Sequence, residues 1–393
     1  MDFALTEAQS KLKHDVREFL EAEIAPVANE RDLRGPLTRE ELVEFIKKLM
    51  PFGYYNGTLP ESFGGKGLDA TTMALLLEEL SRVWSGLAAS IWIASSAGAF
   101  VAASPHHRDK YLARILEGDL VGCAAITEPD AGSNAAALQT RAVRDGDEWV
   151  LNGTKTWISN GSIADVVSVL AITDSGKGQL GISLILVDRE ASPYEHRELH
   201  KIGWQAFPTA ELSFTDCRVP AENVVGSTGS GQAGPTQRSG YQNVMTAFES
   251  ARCTMSVLAV GICQAALDAS LAYIKKREQF NRRIGGFQMV QEMIADMITE
   301  TDAARLLTYR AWQLIDQGKR ARMESSIAKG YACEAAIRVA LKAVKIHGAM
   351  GIDERHPIQR YLRDARTLTV PDGTTQIQKL VVGREAIGIR AFE

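Results

Sequence analysis

Apolar residues recur at three- and four-residue spacing through the first third of the chain, as in Leu12, Val16, Phe19 and Leu20 and again in Met73, Leu76, Leu77 and Leu80. That period matches one face of an α-helix, so residues 6–120 are expected to form amphipathic helices. Pro51-Phe-Gly-Tyr-Tyr-Asn-Gly and Glu61-Ser-Phe-Gly-Gly-Lys-Gly break the pattern and read as loops. Near Val121 the period shortens. Residues 140–144, the turn Asp145-Gly-Asp and residues 149–157 predict a hairpin, and the β-branched runs at 166–172 and 182–187 predict further strands. A Gly-, Ser- and Thr-rich connector, Gly226-Ser-Thr-Gly-Ser-Gly-Gln-Ala-Gly, closes this part. Helical periodicity then resumes near Asn243, with long stretches at 257–276 and 289–314 that would pack as a bundle.

The pattern predicts an α+β fold: an N-terminal helical domain at 1–120, a middle β domain at 121–235 and a C-terminal helical bundle at 236–393. Helices and strands are segregated rather than alternating, which argues against a βαβ sheet and a Rossmann site. A length of 393 residues exceeds what one core usually serves, so a large ligand could be enclosed between subdomains.

Composition narrows the function classes. With 45% hydrophobic and 23% charged residues the chain reads as globular throughout, and a net charge of −4 without a lysine-rich tail argues against nucleic-acid binding. No run approaches the roughly 20 apolar residues of a membrane span, and the start Met1-Asp-Phe-Ala lacks a cationic leader, so a soluble cytoplasmic protein is expected. Five cysteines, widely spaced and never in a C-x-x-C pair, fit a reducing compartment. The seven histidines form no ligand pattern, and no metal is expected.

The most informative stretch is Ala124-Ala-Ile-Thr-Glu-Pro-Asp-Ala-Gly-Ser-Asn134, a strand ending in a Pro/Gly/Ser turn. Its backbone N–H groups and the Thr127 and Ser133 hydroxyls could hold a polar ring edge or an amide. By turn chemistry alone it is equally a β-turn capped by serine. The segment resembles the T-E-P-x-A-G-S-D signature of the acyl-CoA dehydrogenase family. Three more motifs follow in family order. Trp157-Ile-Ser159 resembles W-I-T/S. Arg277-Glu-Gln-Phe280 with Phe287-Gln288 resembles R-x-x-F…F-Q, and residues 347–384, with Asp372-Gly-Thr-Thr-Gln-Ile-Gln378, resemble the closing G-G-x-G…E-G-T-x-x-I-Q…R pattern.

The resemblance implies an FAD enzyme that dehydrogenates an acyl thioester, carried by CoA or an acyl-carrier protein. A carboxylate would take the α-proton, flavin N5 would receive the β-hydride, and electrons would pass to electron-transfer flavoprotein from a homotetramer built as a dimer of dimers. It implies a helical domain, a middle β-barrel-like domain and a C-terminal four-helix bundle. Ile126, Thr127, Trp157 and Ser159 would face the flavin ring, with Thr374 and Gln376 completing the flavin contacts and Gly132, Ser133 and Ile158 also binding the cofactor. Arg277, Phe280 and Gln288 would serve the adenine or pyrophosphate side from a neighbouring subunit, and Lys345 and Gly348 would also bind the cofactor. Ser133, Glu249, Arg252 and Gly373 would contact substrate. Each residue also has a plain structural role open to it: Trp157 as core, Phe280 as helix packing, Arg277 as a solvated helix end, Glu249 as a solvated acid or a partner of Arg252.

The base is where this sequence departs from the family. Asp372 stands in place of the usual Glu of E-G-T, and the alternative family position, just before Arg252, holds Ala251. Pro371-Asp-Gly is also a turn signal in its own right. Aspartate shortens the reach by one methylene, which leaves two other readings open: a flavin oxidase like the nitroalkane oxidases, which abstract a more acidic proton, and a non-catalytic subunit of a heteromer. Asn134 replaces the family Asp, and His347 is expected to be structural.

Overall fold

The computed structural model describes residues 5–96, 105–225, 239–389 and 391; the connector at 226–234 lies outside them. Helices α1 (Glu7–Phe19), α2 (Ala25–Leu33), α3 (Arg39–Leu49), α4 (Ala70–Ala94) and α5 (Pro105–Leu116) occupy the first third. Their starts are written in the sequence. Thr6 and Thr38 each accept from the backbone N–H three residues on, and Gln9 and Glu41 reach back to the capping residue. α4 is apolar on nearly every side and is buried on nearly every side, and it kinks at Trp84 (φ −154°, ψ 92°). Two neighbours hold the kink: Trp84 Nε1 donates to Asp32 Oδ1 at 3.1 Å, and Arg360 donates to the Val83 carbonyl at 2.7 Å.

The middle strands are β1 (Gly122–Ala125), β2 (Arg141–Asp145), β3 (Glu148–Ser159), β4 (Val166–Ile172), β5 (Ile182–Asp188), β6 (Glu195–Glu198), β7 (Thr209–Pro220) and β8 (Val224–Val225). They form one eight-stranded sheet in the order β6-β7-β3-β2-β4-β5-β8, with β1 added in parallel to β4. The predicted hairpin is β2–β3, turning at Gly146 (φ +59°). The barrel-like form is realised as a sheet whose hydrogen-bonded path, among the described residues, runs from β6 to β8 without closing.

After the connector come α6 (Gly240–Ile274), the small hairpin β9–β10 (Glu278–Gln279, Arg282–Arg283), α7 (Gln288–Asp316), α8 (Arg322–His347), α9 (Ile358–Leu368) and α10 (Thr375–Ile387). α6, α7, α8 and α10 form the bundle, and α9 packs on α8 and α6. Among the described residues only α6 is long and apolar enough to cross a membrane, and most of that apolar stretch is buried as the central core helix.

The three regions meet at one buried polar junction. Asp32 of α2, Trp204 of the loop after β6 and Asp364 of α9 are all buried, and the Trp204 N–H donates to Asp364 Oδ1 at 2.7 Å. Burial, reinforced by the Asp32 charge, pushes the Asp364 acid up to about 7. Gly203 lies against the α9 backbone, and a Cβ there would sit 2.3 Å from the Arg363 carbonyl oxygen and 2.7 Å from the Asp364 nitrogen. Backbone atoms of a packed helix cannot yield, so Gly203→Ala is expected to destabilise the fold by about 3 kcal/mol in a denaturant titration. A loss below about 0.5 kcal/mol would mean that the loop can lift off α9.

Candidate active site

The first half of the site is built on β3 and the segment that follows β1. A regular strand would place Lys155 and Trp157 on one face. The register of β3 against β7 slips between Lys155 and Ile158, and Trp157 takes a left-handed conformation (φ 60°) that sends its indole outward, 57% exposed. A large aromatic held exposed at a positive φ is a strained arrangement of the kind found at binding sites. Trp157 is therefore not a core residue.

Alongside it runs the signature segment. Thr156 N–H donates to the Thr127 carbonyl at 2.9 Å, and Lys155 Nζ donates to the Ile126 carbonyl at 3.1 Å and to Glu128 Oε1 at 2.8 Å. Glu128 also accepts from the Gln139 and Thr140 N–H groups at 2.6 and 2.9 Å. Lys155 and Glu128 are both buried and lock the loop to the sheet. Beyond them Gly132 and Ser133 are exposed, and no atom lies within 4 Å of where a Gly132 Cβ would sit. Half-buried Ile126, Thr127 and Ser159 complete a surface of one aromatic face with polar groups along it, which suits a planar heteroaromatic ring such as a flavin. Ile158 does not join this surface: its side chain is 2% exposed, in the core of the sheet, so only its backbone can face a ligand.

The second half is the loop between α9 and α10. Asp372 (φ 55°) and Gly373 (φ 91°) are both left-handed, which turns the chain sharply ahead of Thr374, whose hydroxyl caps α10 by accepting from Ile377 N–H at 3.4 Å. The loop carbonyls are clamped from behind. Lys329 Nζ of α8 donates to Thr369 O at 3.1 Å and Gly373 O at 2.7 Å, and Gln378 Nε2 donates to Asp372 O at 3.0 Å and Gly373 O at 2.8 Å. Asp372 is half-buried by surface, yet protein surrounds its carboxyl group. Burial pushes its acid up, and the Lys329 and Arg252 cations pull the other way. Gln376, in contrast, is exposed on α10.

α6 joins the two halves. Val244, Met245 and Phe248 pack in the same apolar cluster as Ile126 and Leu138. One turn later Arg252 is buried, its guanidinium 5.9 Å from the Phe248 ring and its Nε without a hydrogen-bond partner among the described residues. Burial lowers its basicity, and the Asp372 charge is the chief opposing influence. The signature segment and the Asp372 carboxylate thus lie at either side of one helical turn. Glu249 points elsewhere. It accepts from the Ala321 N–H at 3.0 Å and sits 3.4 Å from Arg322 Nε, so it holds the start of α8 and its ion pair is with Arg322, not Arg252.

The remaining expected residues gather at a different place. Phe280 is not on a helix; with Asn281 it forms the left-handed tip of the β9–β10 hairpin and is 88% exposed. Arg277, Gln288, Lys345 and Gly348 are exposed as well. Beside Arg277 a surface depression of about 480 Å³ is lined by Tyr273, Lys276, His347 and Met350. His347 is structural: it stacks on Tyr273 at 4.3 Å, and its Nδ1 lies 2.8 Å from the Ala343 carbonyl. This basic, aromatic surface matches a nucleotide's charge and shape.

Lys155, Lys329 and Gln378 were not singled out from the sequence. The available signal was a lysine on a buried stripe: Lys329 falls among Ser325, Ala328, Ala332 and Ala336, all buried. A cation at such a position needs a local partner.

The N-terminal, middle and C-terminal domain models of acyl-CoA dehydrogenases match residues 6–119, 123–217 and 238–387. Cyclohex-1-ene-1-carbonyl-CoA dehydrogenase of Geobacter metallireducens is 38% identical, over 97% of this chain and 98% of its own. The structure of butyryl-CoA dehydrogenase from Megasphaera elsdenii superposes with a TM-score of 0.90 at 32% identity, covering 98% of this chain and 100% of that one. That of a glutaryl-CoA dehydrogenase from Mycobacterium smegmatis in complex with FADH2 gives 0.89 at 27% identity, with coverages of 99% and 97%. All three domain models match in chain order, and the alignments span almost the full length on both sides, so the chain belongs to the acyl-CoA dehydrogenase family.

Proposed function

We propose that this protein is an FAD-dependent acyl-CoA dehydrogenase in which Asp372 removes the proton α to the thioester carbonyl. The observation that carries the reading is the placement of Asp372: a carboxylate on a sharply turned loop, faced by two cations, one of them Arg252, one helical turn of α6 beyond the apolar cluster that holds Ile126. FAD, when bound, supplies the two-electron acceptor for the β-carbon. Ile126, Thr127, Trp157, Ser159, Thr374 and Gln376 would hold its ring, and Arg277, Phe280 and Gln288 its nucleotide end in a neighbouring subunit.

The protein's own part is proton transfer and orientation. Asp372 must be ionised to act, and Lys329 and Arg252 favour that state against burial. As the α-proton leaves, negative charge grows on the thioester oxygen, and the Asp372 N–H is the backbone donor for it. Ser133 and Arg252 flank the path of the thioester arm.

The exposed arm at Phe280 and the exposed apolar residues Met289, Ile298 and Leu306 on α7 and Leu341 on α8 support assembly with further copies, which we take to be a homotetramer. Electron-transfer flavoprotein is the proposed acceptor, and five cysteines that are all free and buried accord with a cytoplasmic setting. The test is anaerobic. The purified protein should be yellow, and one or more acyl-CoAs from a straight, branched and cyclic panel should bleach its flavin within seconds. A yellow protein that no thioester bleaches, but that releases peroxide with nitroalkanes, would replace this reading with that of an oxidase.

A further inference from the structure

Lys329 lies directly behind the loop that carries Asp372, and its side chain is fully enclosed. Enclosing an ammonium is costly, and packing alone would be served as well by methionine or leucine. What only a cation with several N–H donors supplies is visible in its contacts. Nζ donates to the carbonyls of Thr369 and Gly373, which bracket the Val370-Pro371-Asp372 turn, and its charge is the foremost of the two that Asp372 faces. Gln378 repeats the clamp without charge, on the carbonyls of Asp372 and Gly373.

We propose that Lys329 is the positioning residue of the α-proton base: it pins the backbone on both sides of Asp372 and sets a positive charge directly behind the loop that carries it. The proposal rests on the assignment of Asp372 as that base. Two left-handed residues in succession make this loop a conformation the chain would not keep unaided, and the inward clamp on its carbonyls keeps it. The charged neighbours are few. Asp372 faces Lys329 from α8 and Arg252 from α6; Lys329 has Cys333 and Glu334 on its own helix and Arg252 across from it; Arg252 in turn is faced by Glu249 and Arg322. Arg252 remains when Lys329 is replaced, so the carboxylate loses one of its two cations and the loop loses two of its four carbonyl contacts.

The test uses the FAD-loaded, full-length protein and the acyl-CoA that bleaches it best, with kcat/KM measured against pH. Activity needs ionised Asp372 and is lost as pH falls through its pKa. Lys329→Met should move that acid limb upward by about one pH unit and lower the plateau roughly tenfold or more, with flavin content unchanged. Lys329→Gln should move the limb equally while recovering part of the plateau, because it keeps a donor; if the Met variant fails to fold, this variant decides. Gln378→Met should lower the plateau and leave the limb in place. Flavin-loaded Lys329 variants whose limb and plateau match the wild type would overturn the proposal. Asp372→Asn, run in parallel, separates the two claims: lost turnover there with unchanged Lys329 variants sinks the Lys329 role alone, whereas retained turnover sinks the base assignment and this role with it.

Discussion

Asp372→Asn is expected to lower kcat for an acyl-CoA on the order of a thousandfold while leaving FAD content intact and costing no thermal stability. Asparagine keeps the shape, tolerates the left-handed backbone that Asp372 adopts at φ 55°, and cannot take a proton. The stability half of the expectation follows from the direction of the shift. Burial raises the Asp372 pKa above its unfolded value, so its stabilising contribution is full below the unfolded pKa and is lost as pH rises through the folded one. Asparagine has no such loss, so the melting temperature of the variant should gain on the wild type as pH climbs above the ordinary carboxylate range. A residue retained at a cost to stability is what a catalytic role predicts. Asp372→Glu is the companion: it restores the longer reach usual in the family and should preserve or improve turnover of small linear substrates. Turnover that survives in the asparagine variant would shift attention to Glu249, which would first have to leave Arg322 and the Ala321 N–H.

The order of helices, strands and helices could be read from the chain because each element is amphipathic or β-branched in its own right, and local pattern decides local structure there. The residues proposed to hold the flavin could be read only as a motif. Nothing in the spacing of Lys155, Thr156 and Trp157 announces a register slip, since that depends on the pairing of β3 with β7, far away in sequence. The hairpin at Phe280 was hidden for the opposite reason. Its two-residue turn is Phe-Asn rather than the Asn-Gly or Asp-Gly that signals such turns, so helix packing stood as the plain alternative for Phe280. Glu249 shows the limit for charged pairs. Arg252 is three residues away on the same helix, the distance at which helical partners meet, yet Glu249 is spent on the N-terminus of α8, a contact only tertiary structure creates. The small residues divide: Ala88, Ala89 and Ala94 are buried in the helical core, Ala247 on α6 is exposed, and Ala97 and Ala99 lie outside the described residues.

Lys155→Met is expected to cost about 3 kcal/mol or more of stability and to loosen FAD, because it removes one partner of a buried pair and leaves the other charged. The partners are not equivalent. Glu128 is held below the usual carboxylate range by Lys155 and by the Gln139 and Thr140 N–H groups, against burial, whereas burial dominates for Lys155 and lowers its basicity. The pair therefore favours the carboxylate and is costly for the ammonium, and what holds Lys155 in place is its geometry: one bond to Glu128 and one to the Ile126 carbonyl, tying the signature segment to the strand that presents Trp157. In the wild type the depressed Glu128 pKa gives stability that is present above the unfolded value and is lost as pH falls through the folded one. Without Lys155 the sign reverses, since burial then raises the Glu128 pKa, and the variant should regain stability as pH falls through that raised value and the carboxyl becomes neutral. Glu128→Gln added to Lys155→Met should recover much of the loss at neutral pH by removing the stranded charge, but not the FAD affinity, because the Ile126 carbonyl still lacks its donor. Melting curves at pH 5 and pH 8 with flavin release followed by fluorescence would decide it: a deficit equal at both pH values would reduce Lys155 to a packing residue, and a deficit that shrinks at low pH would show the pair as the electrostatic tie between the signature segment and β3.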